Sequence, residues 1–417
     1  MRRDCSPKSR LGWPLARAGL APGPRITLPL VAIAKPLHVG LNLIFLVPGE
    51  TGGLEVYARE LIPALLAQAP PGVRFTAFAN CEASAAGAAP WGEPLAAVRV
   101  PVSASNRVQW VLGEQTLLPW LAHRAGVDLV HSLASTAPLW GPFRRVVTVH
   151  DLIYARFPEA HPGIRDKGMR LLVPWGVRRS DRVIAISQST RRDLIELLGV
   201  SADRIDVVPN GMGARRRQRP LPEAQTRERF GLGARLVLLS PSAKRPHKNL
   251  LALIGALARI PPERRPLLVL PGYPTWHERE LRERAASQGL AADVRFLGWV
   301  SDAEIEGLWS LAAAFVFPSL YEGFGLPVLE AMARGVPAAC SNISALAEVA
   351  GDAALLFDPH DERAIAAALE ALLSQDEPAR ARTRARGLAR AREFTWERTA
   401  RLTLESYRRA LAPNRRG

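Results

Sequence analysis

The chain has 417 residues, 48% of them apolar and 23% charged, with a formal net charge of +16. That length exceeds one ordinary core and that composition excludes a disordered chain, so two globular domains are expected. No apolar run nears the ~18 residues of a membrane span, which leaves "LNLIFLV" (Leu41–Val47) as a buried strand.

Residues 1–35 mix Arg and Pro with scattered apolar residues. "LPLVAIA" (Leu28–Ala34) is short and follows several arginines, so it is not read as a signal peptide. The segment is expected to be a disordered N-terminal extension outside the fold. Three cysteines show neither metal spacing nor a disulfide framework, which suits a reducing cytoplasm. Only five of the 55 basic residues are lysines. With abundant Ala, Gly and Pro, that bias fits GC-rich coding. The functional alternative is attraction to anionic membrane or nucleic acid. A nucleic-acid binder would need interleaved surface aromatics or a recognised motif, and the chain offers neither.

From Leu37, short Val/Ile/Leu runs alternate with stretches of helical period. Strands are predicted at "HVGLNLIFLV", "RFTAFA", "AAVRV", "VDLVH", "RVVTVH", "RVIAIS" and "RIDVVP". Helices such as "LEVYARELIPALLAQ" and "TRRDLIELLGV" lie between them. Strands joined by crossover helices imply a parallel sheet covered on both faces. The rhythm breaks at "ARRRQRPLPEAQTRERFGLGA", read as a linker and the entry into the second domain, and resumes with "RLVLLS", "PLLVLPG", "DVRFLG", "AAFVFPS", "VPAACS" and "AALLF". The expected domains are 36–214 and 215–394. Residues 395–417 form an amphipathic helix with Thr395 as N-cap, expected to pack back on the first domain.

Ligands of doubly wound sheets sit beyond the carboxyl ends of the strands, so strand ends carry the candidates. The first strand ends in "PGETGGLEVY". Gly49, Gly52 and Gly53 precede a helix start, where free amides suit an anion; a tight turn alone is the other reading. It matches neither a Walker A loop nor GxGxxG. His150 and His131 end two further strands, as cleft residues or as satisfied structural histidines. "SAKRPHKNLL" brings Lys244, Arg245 and Lys248 to the end of another strand. Two of five lysines here, in a chain that otherwise prefers arginine, point to a phosphate. "LYEGFGLPVLEA" places Glu322 in a glycine turn and Glu330 inside the following helix. The pair could grip one ligand, or be one capping acid and one surface acid.

The segment "PSLYEGFGLPVLEAMARGVP" resembles the E-x7-E signature of glycosyltransferase family 4, retaining enzymes of the two-domain GT-B fold. On both sides of it "GGLEVYARELIPAL", "VVTVHDLIY", "SDRVIAISQSTRRDL", "RIDVVPNGM", "PHKNLLALIGAL", "VRFLGWVSDAEIEGLW" and "ALAEVAGDAALLFDP" occur in the family's order, covering about residues 37–410. The fold class implied is α/β: two Rossmann-like doubly wound domains facing a central cleft. The resemblance implies that Glu330 holds the donor ribose, that Glu322 and His150 lie at the donor sugar in catalytic positions, and that Lys248 binds the diphosphate. It places Gly323, Phe324, Gly325 and Leu326 around the sugar and diphosphate, Gly52 and Gly53 in the N-terminal phosphate loop, and Asn210 and Gly211 at the hinge. One departure stands out. Many members carry an arginine six residues before the lysine, and this chain has Ser242 there, so Lys244 or Arg245 would have to supply that charge.

The implied reaction moves a hexosyl group from a nucleotide-diphosphate sugar to a hydroxyl of a glycan or lipid-linked acceptor, in surface-polysaccharide synthesis of mannosyl or rhamnosyl type. No Asp-x-Asp motif is present, so no metal and no other cofactor is expected. A GT-B sugar-nucleotide epimerase and a non-catalytic basic binding protein are the alternatives. "VQWVLGEQTLLPWLAHRAG" and "GIRDKGMRLLVPWGVRRSD" read either as core helices with basic outer faces or as a docking face for anionic membrane. The expected location is the cytoplasm, with peripheral contact at the inner face of the plasma membrane.

Overall fold

The computed structural model describes residues 36–85, 95–157, 164–213 and 219–413. The expectations for the N-terminal extension and for the heart of the Arg-rich linker lie outside the described residues; the later part of that segment is not linker but a helix, Glu223–Phe230, which buries Thr226 and is ended by Gly231 in the left-handed region.

Seven parallel strands make the first sheet: β1 (Leu37–Leu43), β2 (Val73–Ala79), β3 (Ala96–Arg99), β4 (Leu129–Ser132), β5 (Arg144–Val149), β6 (Arg182–Ala185) and β7 (Ile205–Val207). Their order is β3-β2-β1-β4-β5-β6-β7. The second sheet has six: β8 (Val237–Leu239), β9 (Leu267–Leu270), β10 (Val294–Phe296), β11 (Ala312–Phe317), β12 (Ala338–Ser341) and β13 (Leu355–Phe357), in the order β10-β9-β8-β11-β12-β13. Strands covered by helices on both faces cannot alternate polar and apolar residues. Accordingly all seven residues of β1 and all four of β9 are buried.

Each order reverses once, between β1 and β4 and between β8 and β11. Chains leaving adjacent strands in opposite directions open a crevice at these two points. The glycine loop follows β1, the lysine loop follows β8, and the Glu322 turn follows β11, so three of the candidate segments leave from switch-point strands.

The final helix, Trp396–Leu411, returns to the first domain. Trp396, Ala400, Leu404, Tyr407 and Ala410 join the core cluster built on β1 and the helix Gly53–Gln68. Its start is fixed by Thr395, whose hydroxyl accepts from Arg398 N at 3.2 Å. Its far end is tied by Asp206 in the middle of β7, which accepts from Arg182, Ser406 and Arg409. The chain therefore crosses between domains twice, and the crossings touch: Met212 N donates to Phe394 O at 2.8 Å. Gly211 lies so close to the second crossing that a Cβ there would meet Trp396 N at 2.3 Å. Asn210, beside it, is buried.

Candidate active site

On the second domain, Pro246–Lys248 makes one 3-10 turn after β8, closed by Asn249 in the left-handed region at φ 57°. Asn tolerates that conformation better than most residues, and its side chain is anchored to Pro359 O at 2.7 Å. The turn aims Lys248 Nζ at Glu322 Oε1, 2.5 Å away, and places it 5.3 Å from the centre of the Phe317 ring. Both side chains keep about one sixth of their surface exposed (16% and 15%), so an incoming anion can reach the ammonium. Leu320 N donates to His247 O at 2.8 Å, which ties the lysine loop to the acidic turn. Gly325 adopts φ 114°, open only to glycine, and starts the helix Leu326–Ala333 without a side-chain cap. Glu330 lies half-buried in the second turn of that helix.

Two expected ligands serve the scaffold instead. Lys244 is fully buried; its Nζ donates to Gly272 O at 2.5 Å and Leu297 O at 2.6 Å. Burial pushes its pKa down to about 8. It ties the loops that follow β9 and β10 rather than meeting a phosphate, because loop carbonyls already occupy its ammonium. Phe324 is 4% exposed and packs edge-on against Phe394, 5.9 Å between centres. It supports the turn from the core side rather than lining the cleft. Arg245 stays half-buried between Lys244 and the turn. The loops braced by Lys244 present an aromatic ledge that sequence reasoning did not single out. Tyr273 and Trp299 lie 5.1 Å apart, both more than half exposed.

On the first domain, Gly52 takes φ 62°, ψ −128°, a conformation reserved for glycine. An added Cβ at Gly52 or Gly53 would meet nothing within 4 Å, so the loop borders open space. Glu55 holds the loop by accepting from Gly49 N at 2.8 Å. His150 follows β5. Its Nε2 donates to Leu133 O at 2.7 Å, and Tyr57 meets its ring edge-on at 4.7 Å. A carbonyl acceptor fixes the ring proton on Nε2. Burial lowers the pKa to about 4, so the ring is neutral near pH 7. His131 departs from the cleft reading: it is fully buried, bonding Tyr407 at 2.7 Å and Thr148 at 2.8 Å. It anchors the returning helix to the sheet.

The domains meet where chemistry is expected. A Cβ on Gly323 would fall 1.9 Å from His150 O. The acidic turn and the histidine strand end are therefore in backbone contact, with Glu322 next along the chain. A further acid went unread in the sequence. Glu114 sits on a π turn, Gly113–Leu117, and is 2% exposed. It accepts from Asn42 Nδ2 at 2.8 Å and Thr136 Oγ1 at 3.0 Å, and burial lifts its pKa to about 7. A lone acid inside the apolar "WVLGEQTLLPW" was the available signal.

Two facing doubly wound sheets, with a lysine–carboxylate pair beyond one switch point and a glycine loop beyond the other, make the GT-B fold. Residues 51–216 match the family model described as Glycosyltransferase Family 4, and residues 224–390 match Glycosyl transferases group 1. The O-antigen chain mannosyltransferase B of Escherichia coli is 36% identical over 279 residues, 64% of this chain and 70% of that protein. A serotype-specific mannosyltransferase WbdA of Escherichia coli is 34% identical over 287 residues, 65% of this chain but 34% of that protein. Among solved structures, sucrose-phosphate synthase from Thermosynechococcus elongatus has a TM-score of 0.70 at 22% identity, covering 90% of this chain and 99% of that one. HepE of Anabaena in complex with UDP and glucose has 0.68 at 21%, covering 89% and 99%. The chain belongs to glycosyltransferase family 4, and it is a glycosyltransferase. Among the described residues, no helix is long and apolar enough to cross a membrane.

Proposed function

We propose that the protein transfers a mannosyl group from a nucleotide diphosphate to a hydroxyl of a glycan or lipid-linked acceptor, with retention, in surface-polysaccharide synthesis. The observation that carries this reading is the Lys248–Glu322 pair at the β8/β11 switch point, beside Gly323, whose backbone packs against the His150 carbonyl. The mannosyltransferases among its relatives support the sugar.

As the glycosidic bond breaks, negative charge grows on the departing phosphate. Lys248 then exchanges Glu322 for that phosphate, and the uncapped helix start at Leu326 adds partial positive charge. This stabilisation asks for no metal. Glu322, released from the lysine, faces the sugar, and Glu330 accepts from the ribose hydroxyls. The base rests on the Tyr273–Trp299 ledge, one and two strands beyond Lys248. Retention is assigned to a front-face route, in which the leaving phosphate accepts the acceptor's proton. Contact between the domains excludes water that would hydrolyse the donor.

The acceptor meets the first domain. Trp120, Trp140 and Trp175 there are about half exposed (50%, 53% and 52%), and the Arg124 guanidinium lies 5.0 Å from the centre of the Trp120 ring. Apolar rings beside cations suit a bilayer of anionic lipid, so the acceptor is assigned to the membrane surface. The stereochemistry tests the reaction. Proton NMR of product made from an α-linked nucleotide mannose should show an α linkage; a β linkage would contradict retention.

A further inference from the structure

We propose that the helix Gln188–Leu198 is a latch whose grip on the second domain places Glu322, with Asp193 and Tyr321 as positioning residues. The proposal rests on the donor reading above and adds the device that couples domain contact to the acid.

Tyr321 precedes Glu322, yet its side chain crosses into the first domain. Its hydroxyl donates to Asp193 Oδ2 at 2.6 Å and accepts from Leu152 N at 3.2 Å. Both Tyr321 and Asp193 are buried, at 6% and 4% exposure. A buried carboxylate is costly unless it is paired. Here Asp193 Oδ1 accepts from Arg156 Nε at 2.9 Å and from its terminal nitrogen at 2.6 Å. One turn earlier, Thr190 Oγ1 lies 3.3 Å from Gly323 O and 3.4 Å from His150 O. The residues on either side of Glu322 are thus both held by one face of one helix of the opposite domain.

The start of that helix is held as well. Four amides of a helix's first turn lack intrahelical partners. Ser187 serves Thr190 N at 3.0 Å, within the first domain. Gln188 N and Ser189 N instead donate to Glu348 of the second domain, at 2.9 Å and 3.3 Å. A carboxylate at a helix N-terminus is also favoured by the helix dipole. When the domains part, the amides lose Glu348, Asp193 loses Tyr321, and the turn that carries Glu322 loses both flanking anchors. The acid is then placed for reaction only while the domains are together. Asp193 and Tyr321 are 128 residues apart in sequence, so neither "STRRDL" nor "LYEGFG" announces the pair.

The test uses the full chain and the variants Tyr321→Phe, Glu348→Ala, Glu348→Gln and the double Tyr321→Phe/Glu348→Ala. Phenylalanine keeps the ring and removes only the hydroxyl. Three readouts are taken: kcat and KM for donor turnover, the thermal midpoint, and the radius of gyration of ligand-free protein by small-angle scattering. The expected result for the double variant is a larger radius and a kcat lower by on the order of 10- to 100-fold, as for a misplaced catalytic group. Its KM should change by less than about 3-fold, because a latch that only places the acid leaves ground-state binding intact. Glu348→Gln, which keeps an acceptor oxygen, should recover much of what Glu348→Ala loses. An unchanged radius with unchanged kcat overturns the proposal. So does a fall in kcat with the radius unchanged, since the loss would then be local. If wild type turns over no donor at all, the donor reading fails, and the latch stands or falls on the scattering alone.

Discussion

Gly323→Ala isolates the contact between the two domains. The backbone of Gly323 is outside the left-handed region, so alanine adds no conformational strain. Its methyl would lie 1.9 Å from His150 O and 3.0 Å from Asp151 Cβ, and real Cβ contacts below 3.0 Å essentially never occur. The acidic turn and the end of β5 must therefore separate by about 1.1 Å. All three near atoms belong to the first domain, so the core of the second should not notice the change. Misplacement of about 1 Å at a reacting centre costs on the order of 10²-fold in rate. The expectation is a kcat lower by about that factor, with a thermal midpoint within about 2 °C of wild type. Donor turnover and differential scanning calorimetry on the same preparation check it. A kcat within about 3-fold of wild type would refute the idea that this backbone contact sets the reactive geometry.

Lys248→Ala should lower kcat for donor turnover by roughly 10²- to 10³-fold, the usual loss of one group that stabilises developing charge; Lys248→Arg should restore part of it, read in the same assay. Glu114→Gln should change the pH dependence of stability. The Glu114 carboxyl is raised by burial from 4.5 to about 7, so the folded state prefers it protonated. Its stabilising preference is complete below about pH 4.5 and is lost as pH rises through 7. The glutamine variant should lack that decline, and melting curves from pH 4 to 8 should show its relative stability improving towards the alkaline end; parallel curves would contradict the assignment. Trp120→Ala/Arg124→Ala should abolish co-sedimentation with anionic vesicles, and equal, negligible binding by wild type and variant would sink the membrane assignment.

The strands were legible in the sequence as short apolar runs between polar breaks, the inner ones because both their faces are buried, although the edge strand β3 is largely exposed. Helix starts were legible where chemistry marks them: Thr395 caps as its position suggested, and Gly325 ends the turn before Leu326. The switch points then brought Lys248, Glu322 and the glycine loop to the same ends of the two sheets. What stayed hidden were the uses of side chains set by tertiary neighbours. Lys244 and Lys248 look alike in "SAKRPHKN", yet one is consumed by two loop carbonyls and the other faces an acid. His131 and His150 both end strands, but Tyr407, 276 residues later, claims the first. Phe324 sits between two glycines of the signature and still turns to the core. Contacts between domains, such as Tyr321 with Asp193, leave no local pattern at all.

The central claim is that Lys248 and Glu330 hold a nucleotide-diphosphate sugar for transfer. The most direct measurement is release of free nucleoside diphosphate from a panel of UDP-, GDP- and dTDP-sugars with EDTA present, for wild type, Lys248→Ala and Glu330→Ala. The account predicts release from one mannosyl donor by wild type, insensitive to EDTA, and lost in both variants. No release from any donor, together with no donor binding by calorimetry, would contradict it.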